Sequence, residues 1–308
     1  MKPKFVLRSG VIVLTMALLA GCGTSPTTPG KVQATDQSQV TNVIGVEGSL
    51  IDDGILEVST QVSMAAALRG THPAGTVAIQ PFTFWRNIVS ETRQFQFAFS
   101  DTDSTGHPTT AVVTLLRDFS GTFNVVPQSS TSPGTPDFAN TVHKPLEDHW
   151  KRLVLLKRIP MTGFDQPIWR IAGVSGVDVT SQGATTVINS VRVQGGGLDT
   201  TITDPLAFIH LRQILRFAPD DSVTLTVTTP RNDDVVVFYH HDRRARFTNN
   251  GDGTYTYGFR TAAYDGWRHF GVNALSHGTL FDDQLPYDSK AWILPYQVTT
   301  MAAMDYLP

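Results

Sequence analysis

The sequence predicts an α+β protein, with N-terminal helices and an antiparallel sheet followed by an all-β sandwich. Three observations predict it. Ile51, Ile55, Val58, Val62 and Ala65 recur at helical spacing. Phe95, Phe97 and Phe99 alternate with Gln94, Gln96 and Ala98, the period of a half-buried strand. Beyond residue 205, short apolar runs succeed one another with turn residues at regular intervals.

The first helix is expected over 49–65, with Ser49 as N-cap and Gly70 as its close. Gly54 inside it costs about 1 kcal/mol. A second helix is expected over 81–91, PFTFWRNIVSE, where Pro81 stands early enough to be tolerated. The Phe-rich strand then begins, DTDSTGHP breaks it, and TTAVVTLL resumes it, which makes a hairpin. GTFNVVP follows as a short strand, and 127–141 reads as a flexible insertion. In HKPLEDHWKRLVLLKRI, Pro145 with Glu147 and Asp148 suits the first turn of a short helix. Residues 153–159 and 169–181 then read as strands.

The order helix, helix, hairpin, strand, RLVLLKR, turn, WRIAGV resembles nuclear transport factor 2-like domains. Arg152, Lys157, Arg158, Trp169 and Ile171 carry the resemblance, which spans about residues 49–181. It implies a curved antiparallel sheet and transfers no catalytic residue.

Gly195-Gly196-Gly197 is the expected boundary to a second unit. There SVTLTVTT, DVVVFYHH, ARFTNNGDGTYTYGFR and WRHFGVNALSHGTLF read as sandwich strands. Asp252-Gly253 is expected to supply the positive φ angles of a tight hairpin turn. The stretch NNGDGTYTYGF, with WRHFGVNALS after it, resembles the hairpins of bacterial immunoglobulin-like surface domains. That resemblance implies an immunoglobulin-like sandwich, here without the usual cysteine pair. The expected division is 1–21 signal, 22–48 flexible tether, 49–197 α+β domain, 198–300 sandwich and 301–308 tail.

The N-terminus carries an address. Lys2, Lys4 and Arg8 precede an apolar run over 10–20, then small residues and the single cysteine, Cys22. The run is shorter than the ~20 residues that cross a bilayer. Leu19-Ala20-Gly21-Cys22 resembles the lipobox of bacterial lipoproteins, which implies lipidation of Cys22 and removal of the signal. Gly23, where an Asp signals inner-membrane retention, implies the outer membrane of a diderm, or the outer face of a monoderm's cell membrane. With no second cysteine the mature chain forms no intramolecular disulfide.

Loss of the signal's three basic residues shifts the formal net charge from −3 to −6. Such a chain is a poor nucleic-acid binder. At 41% hydrophobic, with 25 Gly and 18 Pro, it is globular and turn-rich.

Few residues suggest chemistry. Asp101, Asp103 and Gly106 match part of a calcium loop, but Thr105 and Val112 stand where ligands are needed, so the stretch reads as a hairpin loop. His143, Glu147 and His149 lack zinc-helix spacing and read as a surface turn. His240, His241, His269 and His277 would offer imidazoles to a metal if their strands paired. Arg243, Arg244 and Arg246 oppose a cation there, and no metal or cofactor is expected. The hydrolase elbow is missing, since neither 173–177 nor 274–278 completes it. The expected role is a non-enzymatic lipid-anchored envelope protein that presents a binding or spacer surface to an envelope protein or glycan. The alternative is an envelope hydrolase acting on glycans or small molecules through a pocket in the first domain.

Overall fold

The computed structural model describes residues 31–51, 54–55, 59–64, 79–160, 167–241 and 243–300. The signal, the lipobox residues Leu19, Ala20, Gly21 and Cys22, and the 301–308 tail lie outside the described residues.

Helix α1 (Lys31–Val46) occupies much of the segment read as a tether. Val40, Val43 and Ile44 form its one apolar stripe, and Val40 and Ile44 are buried. Helix α2 (Gly48–Ile51) follows, with Leu50 and Ile51 buried. The helix expected over 49–65 does not continue. Gly54 takes φ +68°, and Val62 belongs to the strand β1 (Val62–Ser63).

Four long strands then run back and forth: β2 (Pro81–Thr102), β3 (Pro108–Pro127), β4 (Val142–Ile159) and β5 (Ile168–Ser181). The expected helix over 81–91 is the start of β2. Aromatic and β-branched residues dominate it, and Phe84 and Arg86 bury at period two. The bulge between Ile88 and Ser90 lies opposite Gly121, where a Cβ would come within 2.0 Å of the Asn87 carbonyl oxygen. Only glycine fits there.

The helical turn expected at 145–148 is likewise strand. β5 first pairs with β4 at Asp148, so Pro145 faces β3 alone and its missing N–H breaks no ladder. On β4, Lys144, Leu146, Asp148, Trp150 and Arg152 all point inward and are buried.

Two hairpin strands follow, β6 (Ser190–Gly195) and β7 (Leu198–Ile202). The triple glycine is the turn between them, at φ +150°, +57° and +79°. Next come β8 (Ile209–His210), β9 (Leu215–Phe217), β10 (Ser222–Thr228), β11 (Val235–His240), β12 (Arg243–Arg246), β13 (Thr248–Asn249) and β14 (Thr254–Arg260). Strand β15 (Gly266–Leu275), helix α3 (His277–Phe281) and strand β16 (Ser289–Val298) complete the described chain.

The strands form two sheets. The larger runs β1-β2-β3-β4-β5-β16-β15-β11-β12, with β8 on β5 and β9 parallel to β16. Its two ends approach each other, β12 lying beside β1, and Arg244 Nη2 donates to the Ile55 carbonyl at 2.6 Å. The result is a nearly closed barrel. The smaller sheet, β13-β14-β10-β6-β7, packs on the outside of β11, β15 and β16. Those three barrel strands are therefore covered on both sides. Val235, Val237 and Tyr239 face the barrel core, while Val236 and Phe238 face the second sheet.

Among the described residues 58% lie in strands and 12% in helices, with three α-helices, so the α+β expectation is corrected to a mostly-β fold. The sheet interior carries charge, which hid its period-two pattern, and the second layer of the sandwich is the barrel wall itself.

Candidate ligand-binding cleft

The barrel interior is filled. Leu50, Ile55 and Met64 are buried inside it with Phe84, Phe123 and Leu146. Fully buried Arg152 on β4 donates through Nη1 to the Leu50 carbonyl at 3.2 Å, and His269 Nε2 on β15 lies 3.0 Å from the same oxygen. Arg86 pairs with Asp148, whose Oδ2 also accepts from the Tyr287 hydroxyl at 3.3 Å. Burial pushes the Tyr287 phenol up. These groups brace opposite walls.

A concavity of about 810 Å³ lies outside, where the end of β11 and the start of β12 meet β10, β14 and the residues leading into β15. Each wall has a local cause. Tight pairing of β10 with β14 sets Ser222 opposite Arg260 and Thr224 opposite Gly258. The 218–221 loop is stitched to the β14 exit: Thr261 N donates to the Asp221 carbonyl at 3.0 Å, and Thr261 Oγ1 to the Ala218 carbonyl at 2.8 Å. His240 Nε2 is 2.7 Å from the Tyr296 hydroxyl, and its ring stacks on Phe238 at 6.0 Å. His241, at φ +44°, turns the chain into β12.

Three guanidinium groups line this cleft, those of Arg243, Arg260 and Arg268. Arg260 Nη1 donates to the Asp220 carbonyl oxygen at 3.2 Å. Arg268 lies over the Tyr264 ring, 4.7 Å from its centroid, and donates to the Trp267 carbonyl. Among the described residues none of the three forms an ion pair, and Asp220 is the single acid on the lining. Tyr264 is 68% exposed. Gly258 sits mid-strand, and a Cβ added there would meet only the Val223 carbonyl, at 3.9 Å. Bare backbone in a strand marks a place where another group can approach closely.

The four candidate histidines fall in three places. His240 and His241 line the cleft. His269 is buried in the barrel core, and His277 begins α3, stacked on Phe281 at 4.4 Å. Among the described residues no group of three His, Cys, Asp or Glu side chains comes together. His143 and His149 lie on β4 and bond separately to Asn124 and Asp118. Ser276 caps α3 by accepting from Thr279 N. In the 101–107 loop, Asp103 Oδ1 accepts from Thr105 N at 2.9 Å and His107 N at 3.0 Å, which closes a hairpin turn.

At the other hairpin Asp252 and Gly253 lie where expected, between β13 and β14, with different dihedrals. Gly251 (φ +87°) and Gly253 (φ +83°) take the left-handed positions, and Asp252 does not. Asp252 Oδ1 instead accepts from Thr254 N at 2.9 Å.

Sequence reasoning passed over Arg260, Tyr264 and Arg268. Their spacing is that of ordinary strand and loop residues. The available signal was compositional: unpaired basic residues interleaved with aromatics from Tyr257 to Arg268.

A second concavity of about 550 Å³ lies between α1 and β5, lined by Val43, Val46, Trp169 and Ile171. Asp36 holds that wall, accepting from Trp169 Nε1 at 3.0 Å.

No protein family, curated relative or solved structure matches the chain.

Proposed function

We propose that the chain is a lipid-anchored binding protein of the bacterial cell envelope that holds its ligand in the cleft beside β12 and β14. The cleft carries this reading. It is concave, of ligand size, and lined by three guanidinium groups, those of Arg243, Arg260 and Arg268, that form no ion pair among the described residues. The anchoring part rests on the Leu19-Ala20-Gly21-Cys22 motif. A glycosidase-type hydrolase needs two flanking carboxylates. The described lining offers one, Asp220.

The test uses the full chain. Cell fractionation should find it with membranes, and Cys22→Ala should release it. The purified chain, kept in detergent, is then melted against neutral oligosaccharides, acidic oligosaccharides, nucleotides and fatty acids. A ligand at 100 times its Kd adds about 2.7 kcal/mol, which raises Tm by several degrees. Gly258→Trp, which fills the cleft from an unstrained position, should abolish that rise. A panel with no effect, or a rise that survives Gly258→Trp, overturns the cleft as the binding site. Membrane retention of Cys22→Ala overturns the anchor.

A further inference from the structure

We propose that the cleft is built for an acidic saccharide, a sugar ring bearing a carboxylate. This rests on the reading of the cleft as the ligand site and names what it takes. Charge is the first argument. The whole chain is net negative, at −3, yet the described lining gathers Arg243, Arg260 and Arg268 against Asp220. A guanidinium left without a carboxylate partner presents a planar fork, and a carboxylate fits that fork with two parallel hydrogen bonds. Arg260 spends one Nη on a backbone carbonyl, and Arg243 has no side-chain bond to a described residue.

The aromatic surface is the second argument. A pyranose turns a face of C–H groups toward flat π surfaces. Tyr264 offers such a surface at the rim, 68% exposed and steadied by the Arg268 cation over its ring. The third argument is the floor. Gly258 carries no side chain, so a ring can lie against the strand, and the Ser222 and Thr224 hydroxyls beside it can bond sugar hydroxyls.

The probes are trigalacturonate, the matching neutral galactose trimer, and inorganic phosphate, titrated calorimetrically into the detergent-solubilised full chain. Trigalacturonate should bind, the neutral trimer at least tenfold more weakly. Raising salt from 50 to 300 mM should weaken the acidic trimer several-fold. Arg243→Gln and Arg260→Gln should each weaken it about tenfold, with the folded circular dichroism spectrum kept and the neutral trimer's affinity much less affected. Tyr264→Ala should weaken both trimers. Equal affinity for the two trimers, or indifference to both arginine variants, overturns the inference. If Gly258→Trp still blocks binding in that case, the cleft survives as a site of other specificity. Phosphate that displaces the trimer at equal concentration, or no binding of either trimer, also overturns the inference, and the broader panel then judges the cleft alone.

Discussion

A Cβ at Gly253 would sit 2.9 Å from the Thr229 carbonyl oxygen, in a backbone already at φ +83°. Gly251 has the same handedness, φ +87°, but open space around it. The two glycines thus separate backbone strain from steric contact. Gly251→Ala should cost about 1–2 kcal/mol, the strain of a left-handed L-residue. Gly253→Val adds a β-branched clash and should cost more, above about 2 kcal/mol. Asp252→Asn should be nearly neutral, because an amide oxygen can accept from Thr254 as the carboxylate does. Urea denaturation of the full chain ranks all three, and a Gly253→Val no worse than Gly251→Ala would contradict the close contact. Asp234 gives a pH signature. Its side chain is fully buried, with Arg231 Nε at 3.2 Å, and burial pushes its carboxyl up to about 6 from 3.8. Between those values the folded state binds more protons than the unfolded one, so this group's stabilisation is present below about pH 4 and lost as pH rises through about 6. A shift of about two units corresponds to roughly 3 kcal/mol. Asp234→Asn should therefore gain on the wild type by up to that much at pH 7 and by little at pH 4. Equal differences at the two pH values would rule the group out.

At the level of elements, legibility followed what each strand buries. The alternation of Phe95, Phe97 and Phe99 does lie on one strand, because that face is apolar and their rings stack at 6.3 and 6.2 Å. The unbroken apolar run of β11 was equally readable as strand, since both of its faces are covered. β4 was not. Lys144, Asp148 and Arg152 occupy its buried face, and their partners come from sequence positions far away. Lys144 Nζ donates to the Gly278, Asp282 and Leu285 carbonyls at 3.0, 2.6 and 2.7 Å, capping the α3 end across the fold. Its burial pulls the amine down to about 8. No local pattern announces such a residue as interior. Helix α1 failed for the opposite reason: its apolar stripe is narrow within a run of Gln, Ser and Thr, so composition argued for a spacer. The cleft was half legible. His240 and His241 were singled out as possible metal ligands, and the same residues line a basic and aromatic site. What hid the rest is that Arg243, Arg260 and Arg268 come from three different strands, and only sheet packing brings them together.

At the scale of the molecule, the order of strands determines what can stand alone. β16, the last described strand, lies between β5 and β15, so the barrel wall is continuous only through a pairing between residues 177–180 and 290–293. β6 lies between β10 and β7 in the second sheet, although it precedes the triple glycine. A fragment of residues 199–300 would therefore lose β6 from the middle of one sheet and β5 from beside β16 in the other. Val191 and Val193, both fully buried between the layers, would go with β6. Removing two such side chains from a core costs about 2–5 kcal/mol each by analogy with large-to-small substitution, which is much of a domain's net stability. The exposed edges of β10 and β16 would also be templates for aggregation. The fragment should show no cooperative thermal transition and should associate. Extending it back to residue 183 restores β6, heals the second sheet and leaves the β16 edge of the larger sheet open, so its solubility should improve. Extending it to residue 142, which brings in β4 and β5, should add to the folded content again. A 199–300 fragment that melts cooperatively as a monomer, with β-type circular dichroism, would show that neither β5 nor β6 is needed for the second layer to hold.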